Sequence, residues 1–325
     1  MIKKILIVRN DKLGDFMLSL PCFYMLKKNL PTVNLYALVP EYTKSIAAKY
    51  PYIDEVIIDD GSIFKLANSL KKHKFDAVIV LFSTIRIALA TLIANIPYRI
   101  APATKIAQIF YKNTIIQRRS KSEKPEFEYN LDMIRYFLKN NYDDVLPPFW
   151  ILASDKYKLS LSSRYDLNNK KLIFIHPGHG GSANNLSISQ YALLANNLII
   201  KKNNLFFVIT AGEGEENQAL KLLNMINSNN KMILKRLTLF ELLNYINITD
   251  LFISGSTGPL HMAGVLNKKT VGFYPNLISS NSLRWQTMNE RNKNLSFSPV
   301  NNAINDMLSI DIKKCTSKIY NTFLK

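Results

Sequence analysis

Short apolar runs that are typical of buried strands alternate with helical patterns along most of this chain. The alternation covers the first 82 residues and begins again after residue 171. The predicted strands are 4–8, 34–39, 55–58, 77–82, 172–175, 205–210 and 251–253. Because parallel strands need a crossover connection, this alternation predicts α/β architecture with parallel sheets. The two series predict two Rossmann-like, doubly wound domains.

The proline-marked stretch 147–171 separates the two series, and a chain of 325 residues is long enough for two cores. We place an N-terminal domain over 1–160 and a C-terminal domain over 161–309. A last helix over 310–325 is expected to pack back on the N-terminal domain. Ligands bind beyond the carboxyl ends of parallel strands, so two facing domains predict a cleft.

The composition, with 47% hydrophobic and 20% charged residues, is that of a soluble globular protein. No apolar run reaches the ~18 residues of a spanning helix, and the first residues form a strand pattern in place of a signal peptide. Cys22 and Cys315 lack metal-ligand spacing and fit a reducing compartment. We therefore expect a cytoplasmic protein.

The net charge of +18 indicates an anionic partner. Basic residues concentrate in one segment, 99–124, where they are opposed only by Glu123. They are Arg99, Lys105, Lys112, Arg118, Arg119, Lys121 and Lys124. No zinc-ligand spacing, RNP-type aromatic signature or distinct helix-turn-helix favours nucleic acid. A phosphorylated lipid or sugar is the favoured partner, and a solvated basic loop is the alternative.

The octapeptide 254–261 (SGSTGPLH) follows a predicted strand and opens a helix. Ser256 or Thr257 can cap that helix, Pro259 suits its first turn, and Gly258 allows a ligand to approach the backbone closely. Free N–H groups and the positive end of the helix dipole predict a phosphate or diphosphate site. An ordinary, well-capped connection is the alternative.

The four histidines have no spacing that pairs them as metal ligands, and no Asp-x-Asp follows a strand. A required metal is therefore not expected. His261 is placed to donate a hydrogen bond to a diphosphate oxygen, and a buried, satisfied histidine is the alternative.

Two further loops follow strands of the second domain. The Gly-rich loop 176–185 (HPGHGGSANN) permits close approach to phosphate, and the carboxylates of 212–216 (GEGEE) can bind ribose hydroxyls or pair with a helix end. Neither contains the phosphate-binding Gly-x-x-x-x-Gly-Lys-Ser/Thr pattern, so a P-loop nucleotidase is not predicted.

In the first domain, Asp15 lies where the loop 9–14 meets the next helix. As a functional residue it can accept a proton from a substrate hydroxyl, and as a structural residue it is the helix N-cap.

Together these segments resemble family 9 glycosyltransferases, the bacterial ADP-heptose:lipopolysaccharide heptosyltransferases. Five motifs run in order along nearly the whole chain. They are 5–15 with its Leu-Gly-Asp, 118–124 with 128–131, 176–178, 255–261 and Arg284-Trp285. The resemblance implies the GT-B fold, with an N-terminal acceptor domain, a C-terminal donor domain and an inverting reaction without metal.

By the same resemblance, Asp15 is the general base that activates the acceptor hydroxyl. Glu215 or Glu216 corresponds to a ribose-binding glutamate, and Leu237 and Thr238 line the nucleotide. The full donor-binding set is Gly178, Asn184, Glu215, Glu216, Leu237, Thr238, Ser256, Thr257, Gly258, Pro259, Leu260 and His261. Contacts with the acceptor or membrane are assigned to Lys12, Arg118, Arg119, Lys121 and Lys124.

The implied function is transfer of heptose from ADP-heptose to a lipopolysaccharide or lipooligosaccharide core. The implied partners are a nucleotide sugar, a phosphorylated lipid-linked oligosaccharide and the anionic inner face of the bacterial inner membrane, where the protein would be peripheral.

Three positions depart from the family pattern. Asn184 and Leu186 stand where members often carry a basic residue and Trp, and Ser256 stands where some carry Asp. A missing cation weakens leaving-group stabilisation by roughly a few kcal/mol unless Arg9, Lys12 or another basic residue replaces it. Two alternatives therefore stay open: a transferase with another donor or acceptor, and a non-catalytic protein that binds a sugar nucleotide or lipid.

Overall fold

The structure of the protein is a computed structural model that describes residues 2–103, 106–139, 142–153, 155–178, 180–181, 184–300 and 305–325. Within these residues the chain forms two α/β units. The first contains the chain up to Arg119 and Lys124–Pro148, and the second contains Ser120–Glu123 and the chain from Phe149 onward.

The first unit is built on a parallel sheet. Its strands are β1 Lys4–Val8, β2 Asn34–Val39, β3 Glu55–Ile58, β4 Ala77–Val80, β5 Tyr98–Pro102 and β6 Asn113–Ile115. Its helices are α1 Leu13–Met17, α2 Leu20–Asn29, α3 Lys44–Ala47, α4 Ile63–His73, α5 Ile85–Ile93 and α6 Glu126–Leu138, with 3-10 turns at Glu41–Thr43, Ile106–Phe110 and Arg119–Lys121.

The second unit repeats this plan. Its strands are β7 Lys171–His176, β8 Leu205–Thr210, β9 Lys231–Leu234, β10 Leu251–Gly255, β11 Thr270–Phe273 and β12 Asn294–Phe297. Its helices are α7 Asp155–Ser162, α8 Ile188–Lys201, α9 Glu216–Met225, α10 Leu239–Ile246, α11 Gly258–Val265 and α12 Ile312–Ile319, with 3-10 turns at Ile278–Ser280, Arg291–Lys293 and Met307–Ser309 and a final turn at Tyr320–Leu324.

The predicted α/β class with doubly wound parallel sheets is confirmed. The strand orders are β3-β2-β1-β4-β5-β6 and β12-β11-β10-β7-β8-β9, which are the same order read from opposite ends. In each sheet the chain reverses its direction of winding between two central strands, β1 and β4 in the first and β7 and β10 in the second. Ligands bind at the carboxyl ends of such strand pairs, so these two points locate the candidate sites.

The single helix expected after the first loop is instead two helices. The first helix ends at Met17, and α2 begins at Leu20 with Pro21 in its first turn. Proline has no N–H to donate to the preceding turn and clashes with it, so a break before this position is favoured over one continuous helix.

The second unit begins earlier than the boundary expected after residue 160. The Trp150 N–H donates to the Val265 carbonyl at 2.9 Å, and Asn247 Nδ2 donates to the Leu152 carbonyl at 2.9 Å. These bonds tie the segment before α7 to the second unit.

The last helix buries its apolar side in the second unit, whereas the sequence predicts that it packs on the first. Ile312, Cys315 and Ile319 join one core with residues of α8 such as Leu194 and Leu198. Ile312, Cys315 and Ile319 are spaced three and four residues apart, so they lie on one face of α12, and that face is buried in the core of the second unit. Among the described residues, each helix is too short or too polar to span a bilayer.

Candidate active site

The loop after β1 places Asp15 in the first turn of α1. The helix begins at Leu13, and Lys12 holds the cap position with an extended backbone. The interpretation of Asp15 as the N-cap is therefore wrong. Its carboxylate still lies near the positive end of a helix, at the carboxyl end of β1.

Arg9, the first residue after β1, anchors this carboxylate. Its guanidinium is 3% exposed and donates to Asp15 Oδ1, to Asp11 Oδ1 at 2.9 Å and to Asn130 Oδ1 at 3.0 Å. Nη1 and Nη2 also reach Glu126 Oε1, at 3.3 and 3.4 Å. All three nitrogens of the guanidinium are engaged, so Arg9 is not the free cation that could replace a missing basic residue at the donor phosphate.

The electrostatics of this cluster suit a proton acceptor. Burial raises the pKa of the Asp15 carboxyl to about 6; the Arg9 charge opposes this shift, and the charges of Asp11 and Glu126 add to it. Burial acts to lower the pKa of the Arg9 guanidinium, but the same carboxylates raise it, so Arg9 stays charged. Asp15 keeps 13% of its side-chain exposure, and a base with a pKa near the working pH is suited to general base catalysis.

In the second unit, the Glu215 carboxylate binds the Gly-rich loop that follows β7 to the loop that follows β8. Its Oε1 accepts from the Gly180 N–H at 3.0 Å, its Oε2 accepts from the Gly212 N–H at 3.0 Å, and His176 Nε2 lies 3.4 Å from Oε2. A Cβ at Gly178 would collide with this carboxylate, so glycine is required there for close approach. Glu215, and not Glu216, joins the two loops.

Asn185 belongs to the same Gly-rich loop and also holds it in place, a role that the sequence pattern does not indicate. Its Nδ2 donates to the carbonyls of Pro177 and Gly178 at 3.1 and 3.2 Å, and its Oδ1 accepts from the buried Tyr191 hydroxyl at 2.6 Å. A Cβ at Gly255 would collide with the Asn185 amide. The loops after β7 and β10 therefore pack closely against each other at the carboxyl ends of these strands, where the sheet topology predicts a ligand site.

The start of α11 offers backbone N–H groups to a ligand. Thr257 holds the cap position, but its side chain makes no capping bond; its Oγ1 lies 2.9 Å from Ser254 Oγ, which contacts the His176 carbonyl at 2.9 Å. The N–H groups of Gly258 and Leu260 belong to the first turn, where a helix supplies no acceptor. This arrangement supports the predicted anion site.

His261 lies in the same first turn and is buried. Burial lowers the pKa of its imidazole to about 4, so the ring is neutral at physiological pH. Its Nδ1 has no hydrogen-bond partner among the described residues, and an unpaired buried polar atom is costly. The Trp285 ring centroid lies 6.5 Å from that of His261, which brings two of the predicted motifs together.

Some of the other predicted donor residues, such as Thr238 and Asn184, make hydrogen bonds within the second unit. Thr238 caps α10 in a reciprocal pair with Glu241, and Leu237 precedes it. Asn184 Nδ2 donates to the Asn305 carbonyl at 3.5 Å, and Glu216 is the first residue of α9. Ser256 is half-buried between β10 and α11, and Pro259 is buried in α11. Their roles toward a nucleotide stay predictions. The predicted loop residues His179, Ser182 and Ala183 lie outside the described residues.

The basic segment 99–124 is less available than its charge count indicates. Arg99 is buried and donates to the Ile96 carbonyl at 2.6 Å, Arg119 pairs with Glu126 at 2.6 Å, and Lys124 pairs with Asp132. The exposed basic residues described in this segment are Lys112, Arg118 and Lys121, and Lys105 lies outside the described residues. Lys12, at the start of α1, is also exposed.

Comparison with known proteins identifies the family of this chain. Residues 63–307 match the family described as glycosyltransferase family 9 (heptosyltransferase). A Haemophilus influenzae protein named as a glycosyltransferase, with no stated substrate, is 44% identical over 91% of this chain and 89% of its own length. Lipooligosaccharide heptosyltransferase 2 of Campylobacter jejuni is 24% identical over 86% of this chain and 83% of its own length.

The fold matches that of solved heptosyltransferases. The structure of ADP-heptose lipopolysaccharide heptosyltransferase II from Escherichia coli superposes with a TM-score of 0.81, covering 99% of this chain and 98% of that one at 18% identity. A second match, at a TM-score of 0.74 and 12% identity over 98% of this chain and 99% of the other, is an E. coli heptosyltransferase solved with ADP. The GT-B fold class expected from the sequence is thereby confirmed.

Proposed function

This chain belongs to glycosyltransferase family 9, the heptosyltransferase family, and we propose that it moves heptose from ADP-heptose to a lipopolysaccharide or lipooligosaccharide core, with inversion and without a metal. The observation that carries the proposal is the Asp15 carboxylate, held by buried Arg9 at the carboxyl end of β1 with a raised pKa. The names of the Campylobacter jejuni relative and of the Escherichia coli structure specify heptosyl transfer, and we extend that activity to this chain.

In the proposed reaction, Asp15 accepts the proton of an acceptor hydroxyl as its oxygen attacks the anomeric carbon of the donor sugar. The bond from that carbon to the diphosphate oxygen breaks, and ADP leaves with the electron pair. Attack opposite the leaving group inverts the anomeric centre. A base whose pKa is about 6 is ionised at neutral pH and can take up this proton.

The second unit is assigned the donor. Negative charge grows on the diphosphate as the sugar leaves, and the N–H groups that open α11 can stabilise it without reorganisation. The neutral His261 can donate one hydrogen bond to the same group. Glu215 and Asn185 hold the neighbouring Gly-rich loop in place.

We expect His261→Ala to weaken ADP binding roughly tenfold or more, because a hydrogen bond to a charged group contributes about 1.5–3 kcal/mol. Thr257→Val should cause a smaller loss, since its hydroxyl is paired with Ser254. Calorimetry measures both, with His73→Ala on α4 as the control. Excess chelator should change neither ADP affinity nor rate. Strong activation by Mg²⁺ would refute the metal-free mechanism, and unchanged affinity in both variants would place the phosphate site elsewhere.

A second candidate function, transfer from another nucleotide sugar, is favoured by the uncharged Asn184. Its amide contacts a backbone carbonyl, whereas family members often have a cation. A panel of ADP-heptose, other ADP-sugars and UDP-sugars, tested by calorimetry and then by transfer to truncated lipopolysaccharide, separates the two. Binding without transfer to any acceptor would indicate a non-catalytic protein.

We also propose peripheral binding to anionic membranes through the segment 99–124. Ile106, Ile109 and Ile116 within it are each more than half exposed, and the same segment contains the exposed Lys112 and Arg118. Exposed isoleucines add apolar attraction to the Coulombic attraction expected from the sequence. Part of the binding should therefore resist salt.

Replacing both Lys112 and Arg118 with Ser should lower partition onto phosphatidylglycerol vesicles roughly 30-fold at low salt, since each basic residue contributes about 1 kcal/mol. Replacing the three isoleucines with Ser should remove the binding that persists at high salt. Co-sedimentation measures both effects. Lys71 and Lys72, exposed at the end of α4, provide the control double change to Ser. Native binding in both test variants would place the contact on another surface.

A further inference from the structure

Glu126 lies far from Asp15 in sequence and is joined to it through one residue. It is the first residue of α6, where a carboxylate is favoured by the helix dipole, and its side chain is 1% exposed. Its Oε1 accepts from Arg9 at 3.3 and 3.4 Å and from Arg119 at 2.6 Å. Arg9 in turn donates to Asp15.

Asn130 completes this attachment one turn further along α6. Its Oδ1 accepts from Arg9 at 3.0 Å, and its Nδ2 donates to the Leu18 carbonyl at 3.0 Å, directly after α1. Residues four apart lie on the same face of a helix, so α6 presents both acceptors to one guanidinium. Arg9 cannot shift toward or away from Asp15 without breaking bonds to α6.

Several charged groups lie around the Arg9 guanidinium. Three carboxylates, those of Asp11, Asp15 and Glu126, surround Arg9, and Arg119 supplies the second positive charge. The neighbouring negative charges of Asp11 and Glu126 disfavour ionisation of the Asp15 carboxyl. The groups shown to act on the charge of Asp15 within the described part of the chain include Arg9 and Asp11 from its own loop, Tyr42 from the turn Glu41–Thr43, and Glu126 from α6.

We propose that Glu126 is a positioning residue for Asp15: acting through Arg9, it fixes the orientation of the Asp15 carboxylate and sets the pH at which Asp15 becomes a base. The inference rests on the proposed role of Asp15 as general base. Glu126 does not contact the reacting atoms.

The test is Glu126→Gln, which keeps the size of the side chain and one acceptor oxygen but removes the charge. The native enzyme should lose kcat/KM below a pH of about 6, where Asp15 becomes protonated. Because the Glu126 charge raises the pKa of Asp15, its removal should move this loss of kcat/KM, the acidic limb of the pH profile, to lower pH by roughly half a unit or more. Glu128→Gln, on the same helix and paired with Arg135 at 2.8 Å, is the matched control and should leave the limb in place.

A ¹³C carboxyl titration by NMR reads the same shift without turnover, with the Asp15 signal identified by its loss in Asp15→Asn. If Glu126→Gln does not fold, Glu126→Asp keeps the charge but shortens the reach to Arg9. It should leave the limb near its native pH and lower kcat about tenfold or more through misplacement of the base. The inference would be overturned if folded Glu126→Gln kept both the acidic limb of the kcat/KM profile and the Asp15 titration at their native pH. Native kcat in Glu126→Asp would overturn it as well. Native turnover in Asp15→Asn would instead overturn the proposed general base.

Discussion

Replacing Asp15 with Asn is expected to lower sugar transfer by about 100-fold or more while leaving donor binding nearly unchanged. The amide keeps the shape of the carboxylate but cannot accept a proton, and loss of a general base has effects of this size. The donor is assigned to the second unit, so ADP affinity should not move. Initial rates with a truncated lipopolysaccharide acceptor measure the first effect, and calorimetry measures the second.

The matched control is Asp60→Asn. Asp60 is an exposed carboxylate in the loop after β3, and its Oδ1 accepts from the Ser62 N–H at 3.0 Å, a bond that Asn can also accept. It should retain native turnover. Near-normal turnover in Asp15→Asn would remove Asp15 from the mechanism and leave only its place in the buried cluster.

The largest effect on stability is expected from Arg9→Met. This change leaves the carboxylates of Asp11, Asp15 and Glu126 without their shared guanidinium in a buried site. Removing one partner of a buried ion pair costs about 3–5 kcal/mol, because the remaining charge is neither solvated nor paired. Equilibrium unfolding in urea should show this loss, or the variant should fail to accumulate as folded protein.

Arg118→Met is the control for this change. Arg118 is an exposed arginine of the same unit, and substitutions at such positions alter stability by roughly 0.5 kcal/mol or less. Equal stability of Arg9→Met and the native protein would show that the bonds to Arg9 contribute little to folding.

Most of the strands that the sequence predicts are buried on both faces, although the partly exposed edge strand β3 is also predicted and the buried strand β11 is not. Parallel strands covered by helices form continuous apolar runs, and β1, β4 and β8 have this character. The edge strands β6 and β12 are short and only partly buried, so they lack such a run. These two segments are strands because they pair with a neighbouring strand, and no local sequence pattern indicates that pairing.

The candidate sites were found because their residues stand directly after strands, where the topology of a parallel sheet collects ligand-binding loops. Asp15 and the octapeptide 254–261 were recognised in this way. The sequence suggested side-chain roles less well. Ser256 or Thr257 is predicted as the cap of α11; Thr257 holds the cap position, but its hydroxyl pairs with Ser254 and makes no capping bond. The contact with Gly180 distinguishes Glu215 from Glu216.

The attachment of Asp15 to α6 had no signal in the sequence. Glu126 and Arg9 are separated by 117 positions, and neither lies in a spacing that indicates a pair. The same holds for the basic segment, whose charge can be counted from the sequence although Arg99, Arg119 and Lys124 are engaged inside the fold.

Hydrophobic periodicity and turn chemistry act between residues close in the chain, so the sequence alone was enough to predict two doubly wound sheets and the loops that carry the sites. Buried charges interact over a few ångströms between elements that are distant in the chain. Their partners, and the protonation that follows from them, are set only when folding brings β1, α1 and α6 together.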